Sequence, residues 1–122
     1  MRTVAIIGAS RNREKFGNKA VRAFARRGYL VIPVNPHETE IEGWRAYASV
    51  LDVAEPIDLA TLYVPPAVSE AVLGDLATKG VTEVWFNPGS ESRSALARAA
   101  ELGLTTVVAC SILGVGESPS AY

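Results

Sequence analysis

One cysteine, one histidine and one methionine among 122 residues leave little material for several kinds of chemistry. With Cys110 alone there is no intrachain disulfide and no cysteine cluster for a metal. That favours a reducing compartment over a secreted, disulfide-stapled scaffold. The solitary His37 has no histidine or cysteine partner, so it makes a poor metal site and an unsupported general base. No apolar run approaches the 18 or so residues that span a membrane, and Val4–Ile7, ended by Gly8, is too short for a signal-peptide core. These absences predict a cytoplasmic domain that is neither exported nor membrane-spanning. No serine sits in a G-x-S-x-G elbow, no Walker A lysine is present and the G-x-G-x-x-G dinucleotide spacing is missing. Hydrolase and ATPase chemistry therefore has no sequence support.

What is present is enough for one core. Hydrophobic residues make up 48% of the chain and charged residues 20%. For a mass of 13.0 kDa, surface scaling gives roughly 6,300 Å² exposed when folded against about 19,000 Å² when extended. About two-thirds of the surface is thus removed from water, and residues 1–122 read as a single domain. The formal net charge of −1 hides an asymmetry: residues 1–27 hold eight of the twelve basic residues and one acid, Glu14. Lys19, Arg22 and Arg26 read as the solvated face of a helix, with Arg27 near its C-terminus, where it complements the dipole. Arg11, Arg13 and Lys15 instead lie where the chain leaves the first strand for the first helix, a place suited to holding a phosphate. The basic cluster is too short to form a stripe, and a pI near 5.8 argues against a nucleic-acid binder.

Five short apolar runs, Thr3–Ile7, Tyr29–Val34, Leu59–Val64, Val81–Phe86 and Thr105–Ala109, are continuous rather than alternating, as in parallel strands covered on both faces. Helical patterns separate them. Phe16, Ala20, Val21, Phe24 and Ala25 form a stripe that ends at Gly28. A second helix spans Pro66 or Ala67 to Lys79 with Val68, Ala71, Val72 and Leu76 facing inward, and a third about Glu91 to Leu102, with Asn87 or Ser90 as its cap. The recurrence of Trp44, Tyr47, Ala48 and Leu51 suggests a shorter helix. This alternation predicts a three-layer α/β Rossmann-like fold with a five-stranded, mainly parallel sheet in the order 3-2-1-4-5. Ligands of such sheets bind beyond the strand ends where the winding reverses. Residues 111–122 read as a loose tail whose Ile112 and Leu113 can pack back on the domain.

Four connections are candidates for the site. The first runs Gly8-Ala9-Ser10-Arg11-Asn12-Arg13-Glu14-Lys15-Phe16-Gly17 into a helix, so its amides and basic side chains can meet phosphate oxygens; the plainer reading is a tight turn with solubilising charges. The second, Val34-Asn35-Pro36-His37-Glu38, lacks the acid that usually holds the ribose of NAD at the end of strand two. The third, Tyr63-Val64-Pro65-Pro66, offers a stiff apolar wall, and the fourth, Asn87-Pro88-Gly89-Ser90, a turn facing the same end of the sheet. Cys110 follows the fifth strand without a base to activate it and reads as an inert thiol.

Taken together, Val4-Ala5-Ile6-Ile7-Gly8-Ala9-Ser10, Gly28-Tyr29-Leu30-Val31-Ile32-Pro33-Val34-Asn35-Pro36 and Leu62-Tyr63-Val64-Pro65-Pro66 resemble the small stand-alone CoA-binding proteins. These are similar to the N-terminal CoA-binding domain of the succinyl-CoA synthetase alpha subunit. The resemblance, over about residues 2–110, implies that coenzyme A is the ligand. It implies Gly8, Ala9 and Ser10 at the phosphates, with Arg11, Arg13 and Lys15 in a charged flap. Val34, Asn35 and Pro36 fall at the adenosine end, Tyr63, Val64 and Pro65 beside the nucleotide, and Asn87, Pro88 and Gly89 near the thiol-bearing arm. His37 and Glu38 stand where relatives often carry a basic residue for the 3′-phosphate. The synthetase's second domain, which supplies the phosphorylated histidine, has no counterpart here, so no self-sufficient catalysis and no catalytic residue is expected. An interaction or regulatory subunit of an acyl-CoA ligase-like complex with an ATP-handling partner is the alternative, and an NAD(P)-binding oxidoreductase a weaker one.

Overall fold

The computed structural model describes residues 1–122. Its accessible surface, 6166 Å², is close to the scaling value for a folded chain of this mass. The elements follow in the order β1 (Thr3–Ile7), α1 (Phe16–Arg26), β2 (Leu30–Val34), β3 (Glu40–Ile41), β4 (Trp44–Arg45), a 3₁₀ turn (Val50–Asp52), β5 (Leu59–Leu62), α2 (Pro66–Lys79), β6 (Glu83–Phe86), α3 (Arg93–Glu101), β7 (Thr105–Val108), α4 (Ser111–Gly114) and a last 3₁₀ turn (Pro119–Ala121). No helix is long and apolar enough to cross a membrane.

All five long strands pair in parallel, giving the α/β Rossmann-like sheet that the alternation predicts. Because successive residues of a strand face opposite sides, β1 feeds two cores at once. Val4 and Ile6 pack with Ala20, Val21, Phe24 and Ile112 under α1 and α4. Ala5 and Ile7 pack with Leu73, Leu76, Phe86 and Ala99 under α2 and α3. Every residue of β1 and β5 is buried, which is why these strands are continuously apolar rather than alternating.

The strand order differs from the expected one. The sheet runs β2-β1-β5-β6-β7. Counting only long strands, this is 2-1-3-4-5, whereas 3-2-1-4-5 placed the third strand outside the second. Leu59–Leu62 is buried at every position and so belongs in the centre, hydrogen-bonded to β1 on one side and β6 on the other. The winding therefore reverses between β1 and β5, and the loops after those two strands flank the crevice.

The helix expected around Trp44–Leu51 is absent. Glu42 (φ 51°) and Gly43 (φ 81°) form a turn with two successive left-handed residues, which joins β3 to β4 as a small hairpin. Tyr47 then bridges to Val34, donating its N–H to the Pro33 carbonyl and accepting from the Asn35 N–H, and covers the outer edge of β2. Leu51, part of the spacing that suggested the helix, is 49% exposed.

The tail is also ordered. Ile112 is fully buried, and α1 holds the last residues through its basic face. Arg27 Nε donates to the Val115 carbonyl at 2.7 Å and lies 3.6 Å from Glu117, the Arg22 guanidinium sits over the Tyr122 ring, and the Tyr122 hydroxyl donates to Glu117. Leu113 remains exposed. The cap of α3 is Ser92, whose hydroxyl accepts from the Ala95 N–H, in place of Asn87 or Ser90.

Two glycines test how tightly the layers close. A Cβ on Gly17 would lie 2.2 Å from the Gly8 carbonyl oxygen, whereas one on Gly74, inside α2, meets nothing within 4 Å. Gly17→Ala is expected to cost roughly 1–3 kcal/mol through overpacking against backbone, and Gly74→Ala to stabilise by about 0.5–1 kcal/mol. Denaturant unfolding of the two variants checks both signs.

Candidate functional site

A cavity of about 960 Å³ opens at the C-terminal ends of the strands, the upper part of the roughly 300–1,000 Å³ range of ligand pockets. All four connections singled out in the sequence converge on it. Gly8, Ala9, Ser10 and Lys15 come from the first, Val34, Asn35 and Pro36 from the second, Tyr63, Val64 and Pro65 from the third, and Asn87, Pro88 and Gly89 from the fourth.

The first loop is shaped by close backbone approach. Gly8 has φ 89°, and a Cβ there would lie 2.4 Å from the Tyr63 carbonyl oxygen and 2.7 Å from Val64 Cγ1. The glycine thus serves the contact between the two loops that flank the winding reversal. Beyond it the loop closes on itself: the Ser10 hydroxyl accepts from Asn12 N–H and the Asn12 side chain from Glu14 N–H. Lys15 is the N-cap of α1 and makes no side-chain cap, so the first amides of the helix have no intrahelical partner and carry the positive end of its dipole.

Asn35 and Asn18 hold this loop from two sides. Asn35 Nδ2 donates to the Ala9 carbonyl at 2.9 Å while its Oδ1 accepts from His37 N–H. Buried Asn18 donates to the Ser10 carbonyl and to Glu42, and accepts from Arg22. Both asparagines position the loop, and the amide of Asn35 is already engaged.

Arg11 and Arg13 do not line the cavity. Arg11 lies 3.7 Å from Glu38 and Arg13 3.5 Å from Glu42, the arginines largely exposed and the glutamates mostly covered. Folding brings the second connection and the β3–β4 turn beside the first loop, and both supply carboxylates that a linear reading does not place there. His37 is exposed and outside the cavity wall.

The cavity floor is a buried polar network. Asn87 Nδ2 donates to Thr61 Oγ1 at 2.6 Å and to the Leu62 carbonyl at 2.9 Å, and its Oδ1 accepts from Ser111 N–H at 2.8 Å. Thr61 donates to the Ser111 hydroxyl, which is also 2.8 Å from the Tyr63 hydroxyl, and Ser90 donates to the Asn87 carbonyl. Burial pushes the Tyr63 phenol up to about 12, opposed by its hydrogen bond to Ser111 and aided by neighbouring Cys110. Cys110 lines the wall. Sequence reading missed Ser111 and Thr61, since neither belongs to a motif and their pairing spans 50 residues.

The opposite wall is apolar. Phe16, Val68 and Val72 complete it; Phe16 and Val68, expected to face the core, are 54% and 44% exposed at the opening. Their place in an apolar helical stripe disguised them as core.

Residues 2–115 match the protein family described as CoA binding domain. Among curated relatives, an ADP-forming acetate–CoA ligase of Methanocaldococcus jannaschii is 41% identical over 80 residues, 66% of this chain and 11% of that protein. The alpha subunit of ADP-forming acetate–CoA ligase II of Pyrococcus furiosus is 36% identical over 84 residues, 68% of this chain and 18% of that one. The chain therefore spans less than a fifth of the length of these relatives. Among solved structures, a conserved hypothetical protein from Pyrococcus furiosus superposes with a TM-score of 0.86 at 32% identity, covering 93% of this chain and 99% of that one. A dinucleotide-forming acetyl-coenzyme A synthetase of Ca. Korarchaeum cryptofilum, in complex with phosphate and ADP, gives 0.77 at 26% identity, covering 88% of this chain and 25% of that one.

The floor network makes two predictions. Ser111→Ala leaves buried partners unsatisfied and is expected to cost about 1–3 kcal/mol of stability, read by denaturant unfolding. The phenol of Tyr63 ionises less readily folded than unfolded, so its contribution is intact below about pH 10 and is lost as pH rises toward its folded value of about 12. Wild-type stability should fall over that window, and Tyr63→Phe should flatten the fall.

Proposed function

Because the chain belongs to the CoA binding domain family, we propose that its cavity binds coenzyme A or an acyl-CoA and that the chain has no self-sufficient catalysis. The observation that carries this reading is the convergence of the Gly8–Ser10 loop, the uncapped start of α1 with Lys15, and the apolar third-loop wall on one cavity. The helix amides and Lys15 suit a pyrophosphate. Val34 and Pro36 offer an edge for adenosine. Tyr63, Val64 and Pro65 offer a flat apolar side, and Asn87, Pro88 and Gly89 border the rest of the path for a pantetheine arm.

The chemistry of the wall supports binding over turnover. A phenol held near 12 is far from the range that serves proton transfer at neutral pH, and the hydrogen bonds of Tyr63 and Asn87 are spent on fixing the floor. Such a cavity holds a cofactor in place. Coenzyme A would itself supply the thiol that carries an acyl group.

A second reading is supported by the relatives and by an open sheet edge. The chain spans 11% to 19% of ligases and ligase subunits that it resembles, and β7 leaves an edge with Val108 52% exposed. A role as an interaction or regulatory subunit beside an ATP-handling protein is the reading that these ligase relatives and this edge support. The two readings separate in the isolated chain, where only the first requires affinity for coenzyme A.

Isothermal titration of ligand-stripped protein with coenzyme A is the test. Saturable 1:1 binding is expected, weakened by up to about tenfold in Lys15→Ala, as for loss of a partly exposed charge-assisted hydrogen bond. Val68→Glu, at a half-exposed wall position that the fold does not depend on, should weaken it further by setting a carboxylate against an anionic, partly apolar ligand. Folded protein that shows no binding sinks the stand-alone reading. Gly8 is a poor position for this test, since its substitution strikes Tyr63 and Val64 before any ligand.

A further inference from the structure

Charged groups at the cavity are few and most face a partner, and their balance bears on which ligands it distinguishes. Of the residues that line the wall, Lys15 alone carries charge. Around the opening, Arg11 faces Glu38 and Arg13 faces Glu42, while Arg22 is tied to Asn18 and to the Arg13 carbonyl. Lys19 Nζ is held over the Phe16 ring, 5.3 Å from its centroid. Glu14 closes the first loop, and Glu91 accepts from Gly89 N–H in the fourth. The rim thus holds Arg11, Arg13 and Lys19 against Glu14, Glu38, Glu42 and Glu91.

Coenzyme A differs from dephospho-coenzyme A by a 3′-phosphate, a group of charge roughly −1.5 to −2 near neutral pH. One lysine and one helix N-terminus answer the pyrophosphate that both ligands share. Of the other cations at the rim, Arg11 and Arg13 face carboxylates and Lys19 is held over the Phe16 ring, so none of them is aimed at the extra group. A 3′-phosphate that drew Arg11 or Arg13 toward itself would leave Glu38 or Glu42 unpaired beside the same anion, so gain and loss nearly cancel. Resting on the coenzyme A reading above, we propose that this site does not read the 3′-phosphate. Its ligand class is the ADP–pantetheine scaffold, and dephospho-coenzyme A occupies it as well as coenzyme A does.

The experiment is parallel calorimetric titration of the folded full chain with coenzyme A and dephospho-coenzyme A at low and at physiological salt, repeated for Glu38→Lys. The expected wild-type affinities agree within about threefold at both salts, which is the scale of a weak exposed ion pair. In Glu38→Lys, which frees Arg11 and adds a cation at the rim, coenzyme A should gain about fivefold or more over dephospho-coenzyme A, and the gain should shrink with salt. A wild-type preference for coenzyme A above about threefold overturns the proposal, as does a ratio that Glu38→Lys leaves unmoved. Binding of neither ligand overturns the coenzyme A reading itself and this inference with it, whereas unequal binding overturns this inference alone.

Discussion

The arrangement of the site depends on one close approach of backbone to backbone. At Gly8 the chain leaves β1 in a left-handed conformation and passes so near the Tyr63–Val64 backbone that a side-chain carbon would overlap it. From the other side, Gly17 brings the start of α1 against the Gly8 carbonyl. Two glycines nine residues apart therefore set the distance between the two loops that flank the winding reversal, and with it the width of the crevice. The intervening loop has no freedom to drift, because Asn35 and Asn18 each hold one of its carbonyls. The cavity thereby opens beside a helix start that has no side-chain cap. It requires no dinucleotide glycine spacing.

Division of labour in the wall follows the strand order. With β5 at the centre of the sheet, its last residues, Thr61 and Leu62, lie beside β1 and β6 together, and Asn87 reaches both the Thr61 hydroxyl and the Leu62 carbonyl. Ser111 closes the same network from beyond β7. Buried polar groups of this kind are costly when half satisfied and rigidifying when complete. Here every member has a partner, so the polar side of the cavity is rigid. The opposite side is built from Phe16, Val68 and Val72, which leave apolar surface open at the mouth. Burying such surface under a ligand is favourable without demanding directional bonds.

What the sequence disclosed and what it withheld divide along the range of the interactions involved. The five parallel strands and the three main helices were legible because each leaves a local trace: a continuous apolar run, a stripe at helical spacing, a terminal glycine. The four loops of the site were legible as strand ends carrying Gly8, Asn35, Tyr63 and Asn87. Strand order was not, since a run such as Leu59–Leu62 states that it is buried without stating between which neighbours. Trp44, Tyr47 and Leu51 matched a helical period by coincidence, while the Glu42-Gly43 turn beside them carried the better signal. The tail looked loose because its anchors, Arg22, Arg26 and Arg27, lie some ninety residues away. Phe16 and Val68 show the converse error, in which a sound apolar pattern was assigned wholly to the core although its end serves the cavity mouth.

The charge asymmetry of the chain resolves in the same way. Eight basic residues in the first 27 suggest an electropositive lobe, yet three of them on α1 and at its C-cap bind the C-terminal segment through Glu117, Val115 and the Tyr122 ring. Two more, Arg11 and Arg13, face carboxylates delivered by the second connection and the hairpin turn. Exposed pairs of this kind stabilise the fold little, and their larger effect is to cancel one another's field. Lys15, at the N-cap position of α1, makes no such ion pair and lines the cavity. The electrostatic pull on an anion is thereby confined to one side chain and one helix terminus, at the place where Gly8 and Gly17 have already fixed the backbone.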